Sequence, residues 1–146
     1  MKKQIIIIAL FLLGITLFND VKAQSLTTSQ VENAIKKDGK YALLVQNSMH
    51  FMVSVMTGEE YKTKNAGIQF EIILIGEVVK DLAEKEDLKA FIQRAEKAGI
   101  KIVVCEFAMN KLGVKKSQYH SSILTTPNGF TYIFGLQELG FKTITL

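Results

Sequence analysis

The sequence predicts an α/β domain in which helices cover both faces of a mainly parallel sheet of five strands. Two observations carry that prediction. Short apolar runs alternate along the chain with stretches of helical spacing. Two of those runs, Gly67–Glu77 and Ile100–Cys105, are apolar on both faces, as strands covered on both sides must be. A length of 146 residues suits one domain, and a hydrophobic share of 48% is ample for its core.

The first element is not part of that domain. Lys2 and Lys3 precede an apolar run from Ile5 to Phe18, and Val21-Lys22-Ala23 forms a cleavage site before Gln24. These are the three parts of a secretory signal peptide over residues 1–23, leaving a mature domain of residues 24–146 that is exported, to the periplasm, and free of the membrane after cleavage. The competing reading is an uncleaved anchor, but the run falls short of the roughly 20 residues a span needs.

The rest follows in order. Residues 24–28 read as a loose arm. Residues 28–39 form a short helix capped by Thr28 or Ser29 and stopped at Gly39. Tyr41–Asn47 is a strand. Ser48 caps the next helix, whose Met49, Met52, Val53 and Met56 recur at helical spacing and are read as core packing rather than as a ligand set. The strand within Gly67–Glu77 leads into two helical pieces. The second, from Asp87, sets Leu88, Phe91, Ile92 and Ala95 on one face and ends at Gly99. Ile100–Cys105 is the third strand, and Glu106–Gly113 the helix after it. A polar connection leads to a short fourth strand in Ser121–Thr126. Pro127-Asn128-Gly129 starts the last helix, which ends at Gly140, and Phe141–Leu146 is the closing strand.

Several functions are disfavoured by what the residues lack. Removal of residues 1–23 takes the charge from 18 basic and 14 acidic residues to 15 and 13, a net +2. That is too little for nucleic-acid binding, and Lys36-Lys37 and Lys115-Lys116 read as solvated faces. One cysteine and two distant histidines give no metal-ligand spacing. No glycine-rich phosphate loop follows a strand, no paired-cysteine redox motif is present, and no nucleophile-elbow serine marks a hydrolase. No cofactor is expected.

In open parallel sheets chemistry gathers at the carboxyl ends of the strands. Four loops meet there: residues 47–50, 76–77, 105–106 and 126–129. Cys105, the single cysteine, stands among them where a strand hands over to a helix. A helix start offers free N–H groups and partial positive charge, which favour a thiolate over a thiol, while Glu106 opposes this with its own charge. With no second cysteine the thiol is buried and inert, or reactive, or paired with another chain. His50 is a candidate base if its loop reaches the thiol, against the plainer reading of a packing or surface histidine. Asn128 is a further candidate neighbour, and His120 a weaker one.

The stretch "VVCEFAMNKLGV" resembles the DsrE/DsrF-like family, which includes the DsrE, TusD and YchN groups. The shared pattern is a hydrophobic strand, Cys105, a helix-face pair at Ala108-Met109, and Gly113-Val114. The closing segment around Leu136–Phe141 is similar as well, and the likeness runs from about Tyr41 to Leu146. The resemblance implies a three-layer α/β/α sandwich on a five-stranded parallel sheet and a homo-oligomer. It also implies that Cys105 carries sulfane sulfur as a persulfide between a donor and an acceptor protein, as a carrier or sulfurtransferase. Two other readings stand beside it. One is a non-catalytic oligomeric binding module in which Cys105 is a small buried residue. The other is a small-molecule or flavin-type binder at the same sheet edge, which the absent phosphate loop disfavours.

Overall fold

The computed structural model describes residues 25–146; the leader read over residues 1–23 lies outside them. The chain divides into two units at Ala34/Ile35, and one helix of the first is described. This is α1 (Thr28–Glu32), capped by Thr27 and not by Thr28 or Ser29. Thr27 and Gln30 satisfy each other's backbone N–H groups, the Thr-x-x-Gln capping box that residues 27–30 spell out. The helix ends at Glu32, well short of Gly39.

The unit from Ile35 onward contains β1 (Lys40–Val45), α2 (Ser48–Lys64), β2 (Gln69–Leu74), α3 (Val78–Glu84) and α4 (Glu86–Ala98). It continues through β3 (Lys101–Cys105), α5 (Glu106–Leu112), a 3-10 turn at Lys116–Gln118, β4 (Leu124–Thr126), α6 (Gly129–Glu138) and β5 (Lys142–Thr145). The five strands form one sheet in the order β4-β3-β2-β1-β5, with every neighbouring pair parallel. The α/β/α class expected from the residues is the class observed.

This strand order dictates where the helices go. From β1 to β4 the chain steps steadily toward one edge, so right-handed crossovers put their helices on a single face. The return to β5, on the far side of β1, must cross on the other face. Two cores result, divided by the period-2 alternation of the strands. Tyr41, Val45, Phe70, Ile72, Leu74, Ile102 and Val104 pack beneath α2–α5. Ala42, Leu44, Ile73, Ile75 and Cys105 meet Ile133 and Leu136 of α6 and Phe141. Among the described residues, α6 therefore covers the face that carries the cysteine. The sheet edges are short and partly polar: three residues in β4, and Lys-Thr-Ile-Thr in β5.

Two sequence expectations fail in α2. Its cap is Asn47, whose Oδ1 accepts the His50 N–H at 2.9 Å, while the Ser48 hydroxyl donates instead to Asp81 of α3. The methionine stripe is not core. Met49 is 67% exposed, Val53 and Met56 are exposed, and only Met52 is half-buried. The buried face is Phe51, Ser54, Val55 and Gly58. Small residues turn inward because α2 lies close on β2: a Cβ at Gly58 would stand 2.7 Å from Ile100 Cδ1 and 2.9 Å from Phe70 Cδ1.

Candidate functional site

Cys105 is the last residue of β3 and the extended residue before α5. Strand alternation sends Val104 under the helix-rich face and Cys105 to the face that α6 covers. The thiol is 4% exposed and unpaired by any disulfide. Its Sγ accepts the backbone N–H of Gly129, the first residue of α6, at 3.3 Å. Only a residue without a side chain fits there: a Cβ on Gly129 would lie 2.7 Å from Ile75 Cγ2 and 3.3 Å from Cys105 Cβ. Asn128 caps α6, its Oδ1 accepting the N–H groups of Phe130 and Thr131, so the Gly129 N–H is left for the sulfur. The Phe107 N–H donates to Pro127 O at 3.3 Å, which ties the β3 and β4 loops together.

A cleft of ≈ 380 Å³ opens beside the thiol. Its apolar walls are Ile75, Phe107, Ala108, Leu112 and Phe130, and Glu77, Lys111 and Asn128 also line it. Phe107 is 61% and Phe130 54% exposed, a costly position for two rings unless something covers them. The Lys111 ammonium lies 5.7 Å from the centre of the Phe107 ring. A more open depression of ≈ 560 Å³ between α2 and α4 is lined by Glu59, Lys62, Thr63, Arg94 and Lys97, and its Arg94 is engaged by Glu59. Among the described residues no group of three or more His, Cys, Asp or Glu could hold a metal ion, and no helix is long and apolar enough to cross a membrane.

The four candidate residues divide. Cys105 and Asn128 share the cleft. Glu106 starts α5 and does not line it. His50 does not line it either; its Nδ1 sits 2.9 Å from Asn47 Nδ2 in the first turn of α2, and no hydrogen bond joins it to Cys105. His120 pairs with Ser122 and lies 3.7 Å from Glu96, remote from the cleft. Sequence reasoning did not reach the Gly129 amide, Phe107, Lys111 or Phe130. The spacing of Phe107 and Lys111, four apart on α5, was the available sign that they share a face.

The middle of α6 is pinned to the sheet. Tyr132 donates its hydroxyl to Glu71 Oε2 at 2.9 Å, and Lys101 Nζ donates to Glu71 Oε1 at 2.7 Å. Glu71 is 4% exposed, so each partner offsets the cost of a buried carboxylate. Burial, reinforced by Glu71, pushes the Tyr132 phenol up to about 12. Burial alone does the same to Tyr119, whose hydroxyl donates to Val79 O at 2.7 Å. Both phenols hold their protons more tightly folded than unfolded, where 10.0 is the ordinary value. Their contribution to stability is therefore full below about pH 10 and is lost as pH rises through about 12. Denaturant midpoints taken across that window should fall with pH, and Tyr132→Phe should flatten the fall; a wild-type curve with no slope there would contradict the burial of both rings.

Comparison with known proteins agrees with this geometry. A family model described as the DsrE/DsrF-like family matches residues 33–146. Among solved structures, the protein of unknown function MTH1491 from Methanobacterium thermoautotrophicum matches with a TM-score of 0.67 at 11% identity, over 75% of this chain and 100% of that one. The conserved protein of unknown function BT1422 from Bacteroides thetaiotaomicron matches at 0.62 and 22% identity, over 78% and 100%. The ychN protein of E. coli matches at 0.59 and 8% identity, over 73% and 99%. These likenesses establish the fold. No match was found among curated proteins.

Proposed function

The chain belongs to the DsrE/DsrF-like family, and from that premise we propose that it is a sulfur carrier in which Cys105 holds sulfane sulfur as a persulfide. The observation that carries the reading is the thiol at the carboxyl end of β3, facing a cleft and met by the Gly129 N–H. A donor aimed at sulfur binds a thiolate more strongly than a thiol, and the thiolate is the attacking form. In the loading step the Cys105 thiolate attacks the outer sulfur of a donor persulfide R–S–SH. The Cys105–sulfur bond forms, the donor S–S bond breaks, and R–S⁻ leaves; the proton stays on the transferred sulfur. Delivery repeats the exchange with a partner thiolate, so no electrons are gained or lost overall.

The test is the alkylation rate of native protein against unfolded protein, together with intact mass after exposure to a persulfide donor. Fast native alkylation and gain of one sulfur atom are expected. The low exposure of Cys105 favours a second reading, a non-catalytic oligomeric module in which the thiol only packs. That reading holds if the thiol reacts only after unfolding.

Two features complete the proposal. The mature chain starts at Gln24 in the periplasm; intact mass from the periplasmic fraction checks this, and full-length chain in the membrane fraction overturns it. The mature chain also self-associates. Exposed Phe134 and Leu139 at the α6 end, and Met49, Val53 and Met56 on α2, give it apolar surface to cover. Light scattering should show a species larger than the monomer at micromolar concentration, and a monomer would count against the proposal.

A further inference from the structure

We infer that the cleft beside Cys105 selects a small organic persulfide with an apolar body and a single carboxylate, in preference to an inorganic sulfur anion. The inference rests on the sulfur-carrier reading for the reaction, but the recognition it claims can be measured without any transfer.

The walls set the body of the ligand. At ≈ 380 Å³ the cleft falls in the range of small-molecule sites, roughly 300–1,000 Å³, and most of its surface comes from side chains that cannot hydrogen-bond. Ile75 sits against the thiol on the α6 face of the sheet. Phe107 on α5 and Phe130 on α6 stand exposed, and an aromatic or branched body placed between them would cover both. An inorganic polysulfide or thiosulfate would lose its hydration there with few donors, Lys111 and Asn128, to replace it.

The charges set the rest. Among the described residues Lys111 is the cation lining the cleft, and it lies beside the Phe107 ring, where a carboxylate on a ring docked against that wall would reach it. Glu77 lines the same cleft and is exposed, so a second negative charge is repelled. One acid group is favoured and a dianion is not. Sulfur transfer then runs as balanced above: the outer sulfur moves to Cys105, and the donor's inner sulfur departs as a thiolate.

The probes are the persulfide of 4-(mercaptomethyl)benzoate, neutral benzyl persulfide and inorganic tetrasulfide, each mixed with the purified mature chain and followed by intact mass. The benzoate donor should load Cys105 at least about tenfold faster than tetrasulfide, a preference within reach of an apolar pocket. Lys111→Gln should erase its advantage over the neutral benzyl donor. Phe107→Ala should slow both benzyl donors and leave tetrasulfide unchanged. Both substituted side chains, Lys111 and Phe107, are at the surface, so folding is not at stake. Equal rates for the three donors, or a preference for tetrasulfide, would overturn the inference. In parallel, the unreactive thiol 4-(mercaptomethyl)benzoate is titrated into Cys105→Ser and the amide signals of Phe107 and Lys111 are followed by NMR. Saturable shifts there with no loading of the wild type would uphold the cleft's selectivity and refute the carrier reading instead; no shifts at millimolar probe, with no loading, would refute both.

Discussion

Cys105→Ser should take up no sulfur from any persulfide donor, yet should unfold within about 1–2 kcal/mol of the wild type. The first half follows from composition, since the chain holds a single cysteine. The second half tells the two functional readings apart. The serine hydroxyl can accept the Gly129 N–H that the sulfur accepts now, and the smaller oxygen leaves little void beside Ile75 and Ala108. A thiol kept for chemistry tolerates that exchange. A thiol kept for packing would leave the serine hydroxyl desolvated among apolar neighbours, at a cost above that range. Denaturant unfolding of the two chains decides between them. A loss above about 4 kcal/mol, together with an unreactive native thiol, would make Cys105 a core residue and end the carrier proposal.

Much of the fold was legible because its signals are local. The β2 and β3 runs are apolar on both faces, Gly99 closes α4 in the left-handed conformation, and Asn128 caps α6, each readable from neighbouring residues. The position of Cys105 at the carboxyl edge followed from the strand–helix alternation alone. What the sequence concealed depends on how closely elements approach. In α2 the methionine stripe faces outward while Phe51, Ser54, Val55 and Gly58 face in, and at Gly58 a Cβ would strike Ile100 and Phe70. His50 is a plausible base on paper, but its ring is turned to Asn47 by the cap that starts its own helix. The thiol's nearest donor is a backbone amide 24 residues away, and a backbone amide has no residue type to betray it. Gly129 looked like part of a helix start; its need to be glycine arises from Ile75, on a different strand's end, which no local pattern reveals.

That need yields the last expected result. Gly129→Ala should destabilise the protein by about 1–3 kcal/mol and slow alkylation of Cys105 in the native state. Alanine is the better helix former by up to about 1 kcal/mol, so propensity alone predicts the opposite sign. Sterics decide. The added methyl would stand 2.7 Å from Ile75 Cγ2, closer than real Cβ contacts come, and 3.3 Å from Cys105 Cβ. Ile75, one residue past the end of β2, is buried against the α6 face, so the first turn of α6 should lift to relieve the contact. Tyr132 and Glu71 hold the next turn in place, which confines the movement to residues 127–130. The Gly129 N–H then moves off the sulfur, which loses its donor. A double-mutant cycle with Ile75→Ala isolates the cause: with the Ile75 methyls gone, the alanine should cost much less than it does alone. Equal costs in the two backgrounds would show that α6 does not press on Ile75. An alkylation rate unchanged in Gly129→Ala would show that the amide does nothing for the thiol.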